Sequence, residues 1–361
     1  MPDHDIPLRP YGSSAGRDHL AERPRPKTIT VDMHGHMRIG AADAHVKPHL
    51  NVPRHPGDLP PDAFSTEVSR KQSEDRGAAL AGVEERLAEM DSMLVNVMAV
   101  SCSPSQFYYS LEPSIGHECC QIINDGILDN IKNHPKRFVG LGTVPMQDTE
   151  LAIQELKRCT DELGYRGIQI GARVNGDELS APRLDPFWET CQELGTVIFI
   201  HPSSFHSDRL SPHHLKNIIG NPLDTTVAMH YLIFDGVMER YPDLKFLTSH
   251  GGAFASHYSA RMDHAYGARP DCRQNIHQKP STYLRKFYFD SIVFSVEQLA
   301  FLISQFGAGH VMIGTDYPFD MGEYDPVEHV YQVPGLSEDE REKICGVTAL
   351  ELMGLDESGF R

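Results

Sequence analysis

Two histidines one residue apart give the first chemical signal in this chain. They stand in Asp32-Met33-His34-Gly35-His36, directly after the run Thr28–Val31. In an extended segment residues i and i+2 face the same side. His34 and His36 can therefore aim both imidazoles at one point, and paired imidazoles suit a first-row divalent ion. The chain holds 20 His, so chance pairs are expected too, and His4, His45, His49 and His55 need no function.

Three more runs end in a chemically useful side chain. Val197–Ile200 leads into His201-Pro202, Phe246–Ser249 into His250-Gly251-Gly252, and Val311–Thr315 into Asp316-Tyr317-Pro318. Each polar residue falls at the C-terminal end of a strand-like run, where parallel barrels build their active sites. Four strand ends with a metal-capable or acid/base group form a constellation, which a single His-x-His does not. The run Gly167–Gly171 has no Lys, Glu, Cys or His to bridge a second ion, which favours one metal.

The elements that must position these residues alternate along the chain. Apolar or β-branched runs occur at Thr28–Met33, Val95–Cys102, Phe138–Val144, Gly167–Ile170, Thr196–Ile200, Leu244–Ser249, Phe287–Asp290 and Val311–Gly314. Amphipathic segments separate them, for example Glu150–Leu163 and Val296–Gln305. Strand and helix alternating eight times predict a (β/α)8 TIM barrel over residues 28–361. Residues 38–80, rich in Pro, His and charge, interrupt the pattern after the first strand and are expected to cover the barrel mouth. Residues 1–27 read as a tail, or an arm able to dock on a neighbouring subunit.

Composition narrows the function. The net charge of −17 over 361 residues argues against nucleic acid binding by a general basic surface. No run approaches the ~20 apolar residues of a membrane helix, and the polar, Pro-rich start has no apolar signal core. A cytoplasmic protein is expected. Seven Cys without CxxC spacing suit reduced thiols, with Cys119 and Cys120 as packing residues.

With these residues in place the chain resembles a branch of the amidohydrolase superfamily. That branch contains 2-amino-3-carboxymuconate-6-semialdehyde decarboxylase, with γ-resorcylate and 5-carboxyvanillate decarboxylases as cousins. The resemblance covers roughly residues 28–355. It rests on Val31-Asp32-Met33-His34-Gly35-His36, Arg86-Leu87-Ala88-Glu89-Met90-Asp91, Gly167-Ile168-Gln169-Ile170-Gly171, Ile200-His201-Pro202, Ser249-His250-Gly251-Gly252, Arg261-Met262-Asp263, Phe289-Asp290-Ser291 and Gly314-Thr315-Asp316-Tyr317-Pro318-Phe319. It implies that His34, His36, His201 and Asp316 bind one divalent metal, Zn first, with Mn or Fe as alternatives. It implies that His250 is the acid/base, with Asp316 also able to accept a proton. Arg261 matches an Arg that reaches a neighbouring subunit's site to hold a substrate carboxylate, so a homodimer or a pairing with a homologous subunit is implied.

The chain also departs from the branch. The tail and residues 38–80 are not closely matched. An Arg that binds substrate is expected in that region, with Arg70, Arg76 and Lys47 as candidates. Ser203-Ser204 stands where an aromatic residue would follow His201-Pro202, so the pocket wall differs.

The implied reaction is non-oxidative decarboxylation of a small unsaturated or aromatic carboxylic acid, through a water made acidic by the metal and a proton carried by His250. A C–C or amide hydrolase or a hydratase would use the same residues. An iron or manganese oxygenase subunit paired with a homologue is a third reading. The partner expected is a small anionic organic substrate. Asp290, at the end of the seventh run, is read as support for the site. His206, His213 and His214 are read as loop residues, His230 and His257 as helix residues, and Trp188 as packing.

Overall fold

In the computed structural model the described residues are 8–12, 17, 19–50, 62–203 and 205–361. His4, His55, Ser204 and parts of the tail and of the 38–80 insertion lie outside them. Eight strands make one sheet: β1 (Val31–Met37), β2 (Val97–Cys102), β3 (Phe138–Gly142), β4 (Gly167–Gly171), β5 (Val197–His201), β6 (Lys245–Thr248), β7 (Tyr288–Asp290) and β8 (Val311–Met312). They pair in that order and in parallel. The sheet closes on itself where Met33 N–H donates to Ile313 O at 3.0 Å, Asp316 N–H to His34 O at 2.8 Å and His36 N–H to Tyr317 O at 2.9 Å. The result is the (β/α)8 barrel that the alternation predicts, and each expected run overlaps its strand.

These sequences suit buried parallel strands. Residues 97–102, 138–142, 167–171 and 197–201 are buried throughout, as a sheet covered on both faces requires. Alternate side chains divide between two cores. Val31, Met33, Val97, Ala99, Val139, Leu141, Val197, Phe199, Leu247 and Met312 meet inside the barrel, together with Leu350, Leu352 and Met353 of the C-terminal helix. Their neighbours Met98, Val100, Ile168, Ile170, Ile198 and Ile200 face the helical shell. The weak run at 167–171 is a full strand, its residues in register with Val197–His201. A Cβ on Gly167 would come within 2.5 Å of Val197 O, so this small, propensity-poor residue is what the close strand approach needs.

Shell helices begin and end on recognisable signals. Thr149–Asp161 starts at Asp148, whose side chain accepts from Leu151 N–H at 3.0 Å, and it buries Ala152, Glu155, Leu156 and Cys159. Asp185–Leu194 ends at Gly195, left-handed at φ 63, a conformation glycine adopts without strain. Trp188 on this helix is fully buried, as packing predicts, and its Nε1–H donates to Leu179 O at 3.1 Å.

β1 differs from the sequence expectation in a way that matters for function. It is placed at Thr28–Met33 by β-branching but runs Val31–Met37, through both histidines. Its register with β2 slips between Asp32 and Gly35: these are three residues apart, while their partners Met98 and Val100 are two apart. One extra residue on one strand is a β-bulge, which reverses the side-chain parity beyond it. Val31 and Met33 can thus fill the barrel floor while His34 and His36 occupy the mouth.

Within the 38–80 segment the described residues form helices Gly40–Val46, Ala63–Asp75 and Gly77–Ala81. Gln72, Ser73 and Leu80 line the cavity at the mouth. The described part of the tail binds its own chain. Arg17 grips Glu323 with two bonds of 2.6 and 2.8 Å, and Leu20 N–H donates to Glu328 Oε1 at 2.6 Å.

Candidate metal centre and active site

The strand ends bring four potential ligands together. One ligand atom from each of His34, His36, His201 and Asp316 lies within 4.8 Å of the others, and all four residues are buried. His34 Nε2 is 3.0 Å from His36 Nε2, and Asp316 Oδ1 is 3.3 Å from the first and 3.1 Å from the second. Ligands bound to one ion at ~2.0–2.1 Å stand roughly 3–3.4 Å apart. These separations are therefore those of a coordination shell.

Hydrogen bonds on the far side of each ring set the inward face. His36 Nδ1 bonds to Cys102 O at 3.1 Å and His201 Nδ1 to Pro202 O at 2.8 Å. A carbonyl can only accept, so both rings carry their proton on Nδ1 and present an Nε2 lone pair inward. His34 Nδ1 lies 2.7 Å from Asp290 Oδ2. His201 Nε2 and Asp316 Oδ1 are buried without a hydrogen-bond partner. Lone pairs and a carboxylate converging on one buried point call for a cation.

The electrostatics agree. Burial disfavours a charge on His34, yet Asp316 and Asp290 overcome it and lift its pKa to about 10. Burial pushes His36 down and His201 well below the ordinary histidine value. Burial alone would raise the Asp316 carboxyl, but His34, His250 and His36 hold it well below the usual carboxylate range. The positive charge that the two carboxylates draw onto His34 is of the kind a divalent ion supplies.

His250 stands beside this group. Its Nε2 is 3.6 Å from Asp316 Oδ2, and its Nδ1 is buried without a hydrogen-bond partner. His250 and Asp316 both have left-handed backbones, φ 55 and 56, which costs a non-glycine residue about 1–3 kcal/mol. Asp290 holds the first in place: Oδ2 accepts from His250 N–H at 2.9 Å, and Oδ1 accepts from Gly251 N–H at 2.8 Å. His34 O holds the second. Asp290 thus supports the site, as the sequence suggests.

Asp32 is a residue the sequence reading leaves without a role. It is fully buried, and Oδ1 accepts from His34 N–H at 2.9 Å and Thr315 N–H at 3.0 Å, while Oδ2 takes Thr315 Oγ1–H at 2.6 Å. It ties the segment of His34 to that of Asp316. Burial raises its carboxyl to about 6 despite these bonds. Gly35 between the histidines makes room for Met98: a Cβ there would stand 2.5 Å from Met98 Sδ and force that side chain to shift.

The cavity over these groups has two lobes. One, of about 400 Å³, is lined by Arg38, Ser103, Ser203, Phe319 and Asp320 with His201, His250 and Asp316. The other, of about 580 Å³, is lined mainly by apolar residues and again by His250 and Asp316. His214 lines the first lobe and His257 the second. His230 sits on its helix, bonded through Nδ1 to Thr226 O at 2.6 Å.

The basic candidates of the insertion stand elsewhere. Arg70 pairs with Glu67 and Glu74 on an exposed helix. Arg76 pairs with Glu89 at 2.6 Å, bonds to Pro318 O at 3.1 Å and packs on the Tyr317 ring. Lys47 is exposed. Arg38, two residues past His36, is the Arg or Lys among the described residues that line the lobe with His201, His250 and Asp316. Its signal is the continued alternation His34, His36, Arg38. Arg261 is exposed on helix Ser259–Ala268 and lines neither lobe of its own chain.

A parallel barrel with a His/Asp divalent-metal site at the C-terminal strand ends defines a class of enzyme. The amidohydrolase family model matches residues 31–355, and the chain belongs to that family. It is 39% identical over 277 residues to 2-amino-3-carboxymuconate-6-semialdehyde decarboxylase of Dictyostelium discoideum, covering 76% of this chain and 77% of that one. The fold matches 5-carboxyvanillate decarboxylase of Sphingomonas paucimobilis with a TM-score of 0.79 at 24% identity, over 91% of this chain and 100% of the other. It also matches a dihydroxybenzoic acid decarboxylase of Polaromonas sp., solved with bound manganese, with a TM-score of 0.72 at 21% identity, over 91% and 97% of the two chains. These relatives are carboxy-lyases.

Proposed function

We propose that this chain is a metal-dependent, non-oxidative decarboxylase of a small unsaturated or aromatic carboxylic acid. The observation that carries the reading is the convergence of His34, His36, His201 and Asp316 on one point, with His250 Nε2 at 3.6 Å from Asp316. The first four residues would hold a single ion, Zn by preference, with Mn suited to the same donors. When bound, the ion supplies Lewis acidity at neutral pH, enough to acidify a water or polarise a carboxylate oxygen. Asp290 and the carbonyls of Cys102 and Pro202 fix the imidazole rings. His250 delivers a proton to the carbon that loses carbon dioxide, so that R–CO₂⁻ and H⁺ become R–H and CO₂. Asp316 exchanges that proton with His250.

Arg261 is read as a substrate-binding residue supplied by a second copy, which fits its exposure and its absence from the lining of both lobes of its own chain. The relatives are decarboxylases of aromatic and muconate acids, so a small anionic acid is the substrate class of this reading. A cytoplasmic location is part of this reading; among the described residues no helix is long and apolar enough to cross a membrane. Residues 1–27 are read as a tail and 38–80 as a mouth-covering insertion in a barrel of 28–361.

The test is direct. The metal-loaded enzyme is incubated with carboxylated muconate semialdehydes and hydroxybenzoates, and carbon dioxide is measured. Release that disappears in His250→Asn with metal content intact supports the reading. New acid products without carbon dioxide would assign a hydrolase instead.

A further inference from the structure

We propose that the cavity is two-ended and selects an amphipathic carboxylic acid, with its anionic group toward Arg38 and an apolar substituent in the larger lobe. The inference rests on the carboxylic-acid reading above and adds which acid. Its basis is the contrast between two lobes that meet at the same two residues.

The smaller lobe is the more polar of the two, and Asp316 and Asp320 share its wall with Arg38. Arg38 is the Arg or Lys among its described lining residues, beside Ser103, Ser105 and Ser203. The Arg38 side chain is placed by a chain of bonds. Its Nε–H donates to Asp43 Oδ2 at 2.7 Å, and Asp43 Oδ1 accepts from the Tyr108 hydroxyl and from Gln106 Nε2 at 3.2 Å. Asp43 engages Nε, so the two terminal amino groups stay available for an anion, and a planar guanidinium binds a carboxylate through two parallel bonds. In a chain of net charge −17, such a local cation is what admits an anionic substrate.

The larger lobe is the opposite in character. Ile218, Phe254, Ile292, Val293, Phe294 and Met321 line it, with a volume of about 580 Å³. Phe254 and Ile218 are 44% and 50% exposed, an apolar surface that gains by being covered. His250 and Asp316 line this lobe as well as the polar one. A substituent on the reacting molecule can therefore enter it while the head group stays at the metal centre. Ligand pockets of this kind combine apolar walls with a few placed polar groups.

Binding of benzoate and of its 3- and 4-ethyl and butyl derivatives to the metal-loaded full chain is the test, read by calorimetry together with the mass of the protein in solution. Affinity should rise about fourfold for each added methylene. Phe254→Ala should reduce that gain per methylene. Arg38→Gln should weaken every member of the series by a similar factor, about tenfold. Because binding is read and not turnover, absence of decarboxylation would count against the reaction and leave this proposal standing. Affinity that stays flat with chain length, as a second copy filling the lobe would cause, overturns it. So does failure of the wild type to bind any of the acids, or an Arg38→Gln variant that binds them all unchanged.

Discussion

Asp290 shows how much of a metal site can depend on a residue that is not a ligand. Its two oxygens accept from His34 Nδ1–H, from the backbone of His250 and Gly251, and from Ile292 N–H at 3.1 Å. The first bond turns His34 Nε2 toward the centre. The next two hold the strained turn that aims His250. Asp290→Asn keeps the shape but replaces one acceptor oxygen with a donor, so His34 loses its anionic partner or its ring orientation. Partners of ligating histidines are worth about 10–100-fold in metal affinity or activity. The expected outcome is metal affinity lowered by that factor with an unchanged far-ultraviolet circular dichroism spectrum. A titration of the metal-free variant with Zn or Mn measures it, and a wild-type affinity would show that the carboxylate is dispensable. The four converging residues were legible in the sequence because each ends a strand-like run. The role of Asp32 was not, because its bonds reach Thr315, 283 positions away, and no local pattern encodes them. Arg38 could be singled out only once the lining of the mouth was known.

At the scale of elements, the order of strands was readable because parallel strands covered on both faces are apolar throughout. The start and length of β1 were not. β-branched residues favour Thr28–Met33, but pairing to β2 and closure to β8 decide the strand, and both are long-range. The bulge at Asp32–Gly35 is likewise a property of the pairing. The tail is a second case. Its composition marks residues 1–27 as irregular, yet Arg17 is held against Glu323, whose side chain is fully buried. Glu323 N–H also donates to Thr315 O at 2.7 Å, one residue before Asp316. Arg17→Ala would leave a buried carboxylate without its cation, a change that costs about 3–5 kcal/mol. A fall in melting temperature and weaker metal retention are expected together, because the loop that loosens carries Asp316. Arg17→Lys, which keeps the charge without the paired bonds, should lie between. A variant as stable as the wild type would show that the tail is an appendage.

For the whole molecule, the metal centre and the barrel's closure are one structure, and that has a thermodynamic consequence. β1 and β8 meet through His34 O, His36 N–H, Asp316 N–H and Tyr317 O, and the same two strand ends carry three of the four proposed ligands. Without a cation, the centre sets His36 and His201 lone pairs against a buried carboxylate at the seam of the barrel. A divalent ion held by His34, His36, His201 and Asp316 would offset that repulsion and tie β1, β5 and the segment after β8 together. An ion that binds the folded state alone stabilises it by RT ln(1 + [L]/Kd), about 2.7 kcal/mol at a hundredfold excess over Kd. Dialysis against a chelator should therefore lower the melting temperature by several degrees with little change in helix content, and stoichiometric Zn or Mn should restore it. Mg, which prefers oxygen donors and keeps its waters, should restore little. His34→Ala should melt at the same temperature with and without chelator, since the ion's contribution is already gone. Were the wild type equally indifferent to chelation, the four converging groups would have to be held by the fold alone, and the case for a metal at the seam would fall with it.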